Sequence, residues 1–154
     1  MTARPRAFTL VEIVLVVFVL GAVAAVIAPQ FAGASDDERS AKAEVVIAGV
    51  RNAIDQYRSR AQQRGADPFP SLYDLQTPGV VIMGQLPPNP FTGVRGVQPV
   101  TQSQAESRAV FNTGSIGWNY FFDNEGPTVL FYPNCETPTT VPDGEGGTST
   151  ANHL

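Results

Sequence analysis

Residues 8–28 read FTLVEIVLVVFVLGAVAAVIA, an apolar run of 21 residues that holds a single charge, Glu12. A helix rises about 1.5 Å per residue, so the run reaches about 30 Å, the thickness of a bilayer's hydrocarbon core. Ahead of it stands only MTARPRA, residues 1–7, with Arg4 and Arg6 and no acid. The positive-inside rule keeps that short basic end cytoplasmic and places the chain after Ala28 beyond the inner face of the membrane.

Three readings compete for the run: a cleaved secretory signal, a plain membrane anchor, and a helix that puts its glutamate to use. Ala32-Gly33-Ala34 offers an A-x-A cleavage pattern, which would release a secreted chain starting at Ser35. Against that reading, a signal's apolar core spans about 7 to 15 residues and carries no acid. A lone charge at the bilayer centre costs roughly 2.5–3.5 kcal/mol on insertion scales, less near one end, where it can snorkel. Glu12 therefore needs a partner.

Arg6-Ala7-Phe8-Thr9-Leu10-Val11-Glu12, followed by the long apolar run, resembles the prepilin signature of type IV pilins and type II secretion pseudopilins. The resemblance implies that a membrane-embedded prepilin peptidase cuts between Ala7 and Phe8 and methylates the new N-terminus, and that the apolar helix survives. It also implies that Glu12 neutralises the amine of Phe8 on a neighbouring subunit as the fibre assembles. The physics supports such a role: a pair offsets part of the desolvation cost, while a register that strands either charge is strongly disfavoured. The family carries glycine where Ala7 stands, and the extra methyl predicts slower processing.

Pro29 lacks the amide hydrogen of a continuous helix, which predicts a kink or break. The resemblance adds that the stretch from Gly21 to Pro29 can lose its helix in the filament. A second helical stretch comes next, with Ser35 as N-cap before Asp36, Asp37 and Glu38. Val46, Val50, Ile54, Tyr57 and Ala61 recur at helical spacing as one apolar stripe, set to hold a sheet. Arg58, Arg60 and Arg64 before Gly65 mark its C-terminal end. The formal charge of −4 and the lack of aromatic residues among these arginines argue against a nucleic-acid face.

Beyond Gly65, Ser71-Leu72-Tyr73-Asp74 resembles a capping box, and Gly79–Met83 reads as a strand. Leu86-Pro87-Pro88-Asn89-Pro90-Phe91-Thr92-Gly93 forbids regular structure and resembles the proline loop of the major pseudopilins. Trp118, Tyr120 and Phe122 alternate with Asn119 and Phe121. After Asp123-Asn124-Glu125-Gly126 comes Thr128–Tyr132, a hairpin expected on the long helix. From Pro133 on, proline, glycine, threonine and serine dominate, the composition of a flexible tail.

The chain has one cysteine, Cys135, and one histidine, His153. No intramolecular disulfide, multi-histidine metal centre or His-based triad in the folded body is available, so no enzyme and no cofactor are expected. Many type IV pilins close a C-terminal loop with a disulfide, which a lone Cys135 cannot make; that and the proline loop favour a pseudopilin. Major pseudopilins commonly hold calcium in a C-terminal loop. Here Asp123, Asn124 and Glu125, or Asp143 and Glu145, are acidic turns without a defensible ligand spacing, and calcium stays an open possibility.

The sequence thus predicts an α+β protein, the pilin fold: a long N-terminal α-helix, membrane-spanning in its first half, packed on a small antiparallel β-sheet domain. Its parts are a basic leader (1–7), a transmembrane and assembly helix (8–28), an amphipathic continuation (29–65), a β-rich domain (66–132) and a tail (133–154). By the resemblance, Phe8, Glu12 and Pro29 would be the assembly residues, and Ala7 and Phe8 the processing site. The resemblance implies a fibre subunit of the type II secretion pseudopilus, acting in protein export across the outer membrane, with a type IV pilin as the alternative. Its partners would be further copies of itself, the prepilin peptidase, the inner-membrane assembly platform and minor pseudopilins. It would sit in the inner membrane, its C-terminal domain periplasmic, until assembled into a periplasmic or extracellular fibre.

Overall fold

A 55-residue helix, α1 (Leu10–Arg64), opens the computed structural model, which describes residues 10–154 apart from the side chains of residues 12 and 19–34. The chain divides into two compact units, residues 1–36 and 37–154. Together its elements make an α+β protein with a long helix and small sheets.

In the first unit, α1 runs unbroken through Pro29 and on past Ser35. The expected break at Pro29 is absent: proline removes one backbone donor, and helical turns continue on both sides. Ser35 is no N-cap either, because no helix starts there. Leu10, Val11 and Ile13–Phe18 all stand half or more exposed. Among the described residues no helix is long and apolar enough to cross a membrane. The segment expected to do so, 8–28, lies largely outside them, since residues 8 and 9 and the side chains of 12 and 19–28 are not described.

The second unit is built on the rest of α1. Val50, Ile54 and Ala61 of the apolar stripe are buried and Val46 and Tyr57 half-buried, with Ala43 and Ile47 adding to the same face. The helix stops in a Schellman motif: Gly65 takes φ +67°, its N–H donates to the Gln62 carbonyl at 3.3 Å, and that of Ala66 donates to the Ala61 carbonyl at 3.0 Å. A short helix, α2 (Leu72–Gln76), begins at the expected capping box, Ser71 and Asp74 each bonding the other's backbone N–H.

Next come β1 (Gly96–Pro99), α3 (Gln102–Glu106), β2 (Ile116–Phe122) and β3 (Val129–Pro133). The hairpin is present, β2 pairing antiparallel with β3, Tyr120 opposite Phe131. The sheet is nonetheless mixed, not antiparallel: β1 runs parallel to β2, a pairing that needs the crossover supplied by α3 and its loop. Alternation sorts the side chains as the sequence predicts. Trp118, Tyr120 and Phe131 pack with Ile47, Val50 and Ile54 of α1, the Trp118 and Phe131 rings stacked at 4.9 Å. Tyr132 turns to the opposite face with Val100 and Ala105.

Two further expectations are corrected. Gly79–Met83 is a turn, not a strand, since the Gly79 N–H donates to the Ile82 carbonyl at 2.7 Å and folds the β-branched run back on itself. The stretch read as a flexible tail forms β4 (Pro138–Pro142), antiparallel to β5 (Thr148–Thr150), and a 3-10 turn (Ala151–His153). Buried Ser40 of α1 accepts a bond from the Thr140 N–H at 3.2 Å, and Ala151 is fully buried, so contacts outweigh composition here.

Candidate functional site

Of the residues expected to carry processing and assembly, Ala7 and Phe8 lie outside the described residues. Glu12 and Pro29 are placed by their backbone within α1, and their side chains are not described. The structure does describe the setting of Glu12. The described side chains from Leu10 to Phe18 are all apolar and exposed, from 50% at Val16 to 79% at Leu10. A helix that is apolar all round is stable only when something apolar covers it.

The proline loop, 86–93, is the second feature. It has no regular structure, as the close spacing of Pro87, Pro88 and Pro90 requires, yet it is tightly held. The Trp118 indole N–H donates to the Pro87 carbonyl at 2.9 Å. Fully buried Asn89 donates through Nδ2 to the Gly117 carbonyl at 2.8 Å and to Cys135 Sγ at 3.6 Å, and its Oδ1 accepts from the Phe91 N–H. The Asn89 backbone N–H donates to the Val94 carbonyl at 2.8 Å. Gly117 is there because nothing larger fits: a Cβ would lie 2.1 Å from the Val94 oxygen. The close prolines pick out the loop but not the work of Asn89 or Gly117, which depends on a neighbour 28 residues away.

A third group went unread in the sequence. Gln98, Asn119 and Asn134 are buried on the sheet face away from α1. Gln98 Nε2 donates to Asn119 Oδ1 at 2.8 Å, and Asn119 Nδ2 to Asn134 Oδ1 at 3.1 Å. They bind the main chain at Ala109, Phe111 and Ile116, so the loop before β2 is fixed by amides where a core would use apolar contacts. Alternation gives no signal for them, because Asn119 falls between Trp118 and Tyr120 on the face a strand pattern assigns to water.

The acidic turns serve their own loops. Asp123 Oδ1 accepts from the Glu125 N–H at 2.9 Å, and Asn124 Oδ1 from the Phe69 N–H at 3.0 Å. Asp143 Oδ1 accepts from the N–H groups of Glu145 at 2.8 Å and Gly147 at 2.9 Å, which hold its carboxyl below the ordinary range. No group of three or more metal-ligating side chains is found among the described residues. The arginines at the end of α1 are separately engaged: Arg58 lies over the Phe69 ring at 5.1 Å, and Arg60 Nε donates to the Gln56 carbonyl. Cys135 is buried, and His153 stands exposed in the 3-10 turn.

Tyr120, whose hydroxyl donates to the Pro70 carbonyl at 2.9 Å, has its phenol pushed well up by burial. It stays neutral and structural. Comparison with known proteins finds no match: no family model, no curated protein and no solved structure aligns with the chain.

Proposed function

We propose that the protein is a structural subunit of a pilin-like fibre, of the kind that forms the type II secretion pseudopilus and serves protein export across the outer membrane. The observation that carries the reading is the 55-residue helix whose described side chains on either side of Glu12, from Leu10 to Phe18, are apolar and exposed. Such a surface is at home in lipid before assembly and among other copies of the same helix afterwards. Removing Ala7 and the residues before it would create an ammonium on Phe8, and Glu12 would answer that charge on the neighbouring copy. The pair contributes more to stagger than to stability, since the cost of burying two charges consumes most of their attraction. Pro29 would mark the stretch where the helix yields as copies pack.

The reading is supported by the prepilin-like string Arg6–Glu12, by the α+β architecture with its long leading helix, and by the proline loop. It places the unassembled protein in the inner membrane, where it would meet the prepilin peptidase, the assembly platform and minor pseudopilins. The test is mass analysis of the N-terminal peptide from the purified protein. An N-methylated Phe8 is expected; a chain starting at Ser35 would overturn the proposal in favour of a secreted domain. Glu12→Ala is expected to be processed normally but to yield at least tenfold less fibre. A normal yield would remove the charge pair from the account.

A further inference from the structure

The far end of α1 gathers positive charge in a chain that is acidic overall. Arg60 and Arg64 stand four residues apart on one helix face and line the same cleft of about 270 Å³, together with Gly79 and Val80 of the turn beyond α2. Like charges so placed repel each other. The helix dipole favours arginines in a last turn, yet it gives no reason for two of them to share a cleft. Nor are they needed as caps, because the Gly65 and Ala66 N–H groups already bond the Gln62 and Ala61 carbonyls. Among the described residues neither arginine pairs with a carboxylate, and the cleft lining holds no acid.

Tyr57 adds a third donor. It lines the same cleft one turn before Ala61, and its hydroxyl is open to solvent with no hydrogen-bond partner among the described residues. The surroundings are preformed. Arg60 Nε donates to the Gln56 carbonyl at 3.2 Å, which steadies the side chain and leaves its two terminal nitrogens unspent. On the turn, the Gly79 N–H donates to the Ile82 carbonyl at 2.7 Å and the Val80 N–H to the Thr77 carbonyl at 3.3 Å. Two guanidinium groups and a phenol without an acid among them make a site for an oxyanion. A phosphate group, with about −1.5 to −2 charge at neutral pH and three strong acceptor oxygens, matches that donor set in both charge and number. The cleft is smaller than the roughly 300–1,000 Å³ of pockets that enclose a whole organic ligand, so it has room for a head group. A second groove, of about 390 Å³, shares Arg60, Gly79 and Val80 with it and runs on to Ser59 and Met83.

We propose that Tyr57, Arg60 and Arg64 form a binding site for a phosphate group, held by the two guanidinium groups and the phenol. The group arrives either as free phosphate or as the monoester of a larger molecule whose body lies in the second groove. The assignment goes beyond the fibre reading and does not rest on it, since all three residues belong to the second unit and none is used in processing or in the Glu12 charge pair.

The test titrates the full chain, held in a maltoside detergent near neutral pH and at fixed ionic strength, with inorganic phosphate, phenyl phosphate and acetate, following backbone amides and arginine side-chain N–H groups by NMR. Saturable shifts at Arg60 and Arg64 are expected with phosphate, and none at Arg58, which lies over Phe69 outside the cleft. Replacing both exposed arginines, Arg60→Gln with Arg64→Gln, should weaken phosphate binding at least tenfold at an unchanged thermal midpoint, and Tyr57→Phe should weaken it severalfold. Phenyl phosphate binding at least tenfold tighter, with shifts that extend to Ser59 and Met83, supports a monoester; equal affinities with shifts confined to the cleft support free phosphate. Shifts that never saturate or appear equally at Arg58, acetate as effective as phosphate, or a double variant that binds like the parent would each overturn the site.

Discussion

At the scale of single residues, the domain depends on a few atoms that no periodicity announces. Gly117 is the plainest. With the Val94 carbonyl oxygen 2.1 Å from where a Cβ would sit, Gly117→Ala must push the proline loop away from the sheet and strain the Asn89 bonds. The expected cost is about 1–3 kcal/mol, read as a lower urea midpoint at unchanged slope. Asp143 acts through charge. Its carboxyl is held below the usual 3.8 by backbone N–H groups of Glu145 and Gly147, so it supports the β4–β5 turn at and above that pH and loses its grip as pH falls through the lowered value. Amide resonances of Glu145 and Gly147 should titrate together with a midpoint under 3.8. Asp143→Asn should abolish that titration.

Among the elements, those whose signals are local were legible. The end of α1 at Arg64-Gly65, the capping box at Ser71 and the β2–β3 hairpin each depend on residues a few positions apart, and each stands where the sequence puts it. Gly65→Ala forces a methyl group into a left-handed conformation and should cost about 1–2 kcal/mol, measurable by thermal unfolding. Elements decided by distant contacts were not legible. Strand β1 is the four residues Gly-Val-Gln-Pro, too short and too mixed to announce itself, and it exists because β2 pairs with it across the α3 crossover. β4 and β5 hide in a proline- and glycine-rich stretch and are fastened by Ser40, about 100 residues earlier in the chain. Conversely, Ser35 with three acids after it has every local mark of a helix start, and a longer helix overrides them. Of the candidate site, the apolar run, its acid and the proline loop could be read directly; Asn89, Gly117 and the amide chain of Gln98, Asn119 and Asn134 could not, because their partners are set only by the fold.

For the whole molecule, the division at residue 36 separates two kinds of stability. The second unit contains both apolar clusters and the sheets, so it has what it needs to fold by itself. The described side chains of the first unit, from Leu10 to Phe18, gain no such cover. A chain starting at Asp37 should therefore stay folded and monomeric at concentrations where the full chain self-associates, as sedimentation velocity would show. Association of the shortened chain would mean that the apolar start is not the adhesive surface. One buried atom also limits how copies can be joined. The sulfur of Cys135, the chain's sole thiol, is shut in beside Asn89. Oxidation has nothing to stitch while the domain stays closed, so an association of copies, where one forms, should be indifferent to reductants.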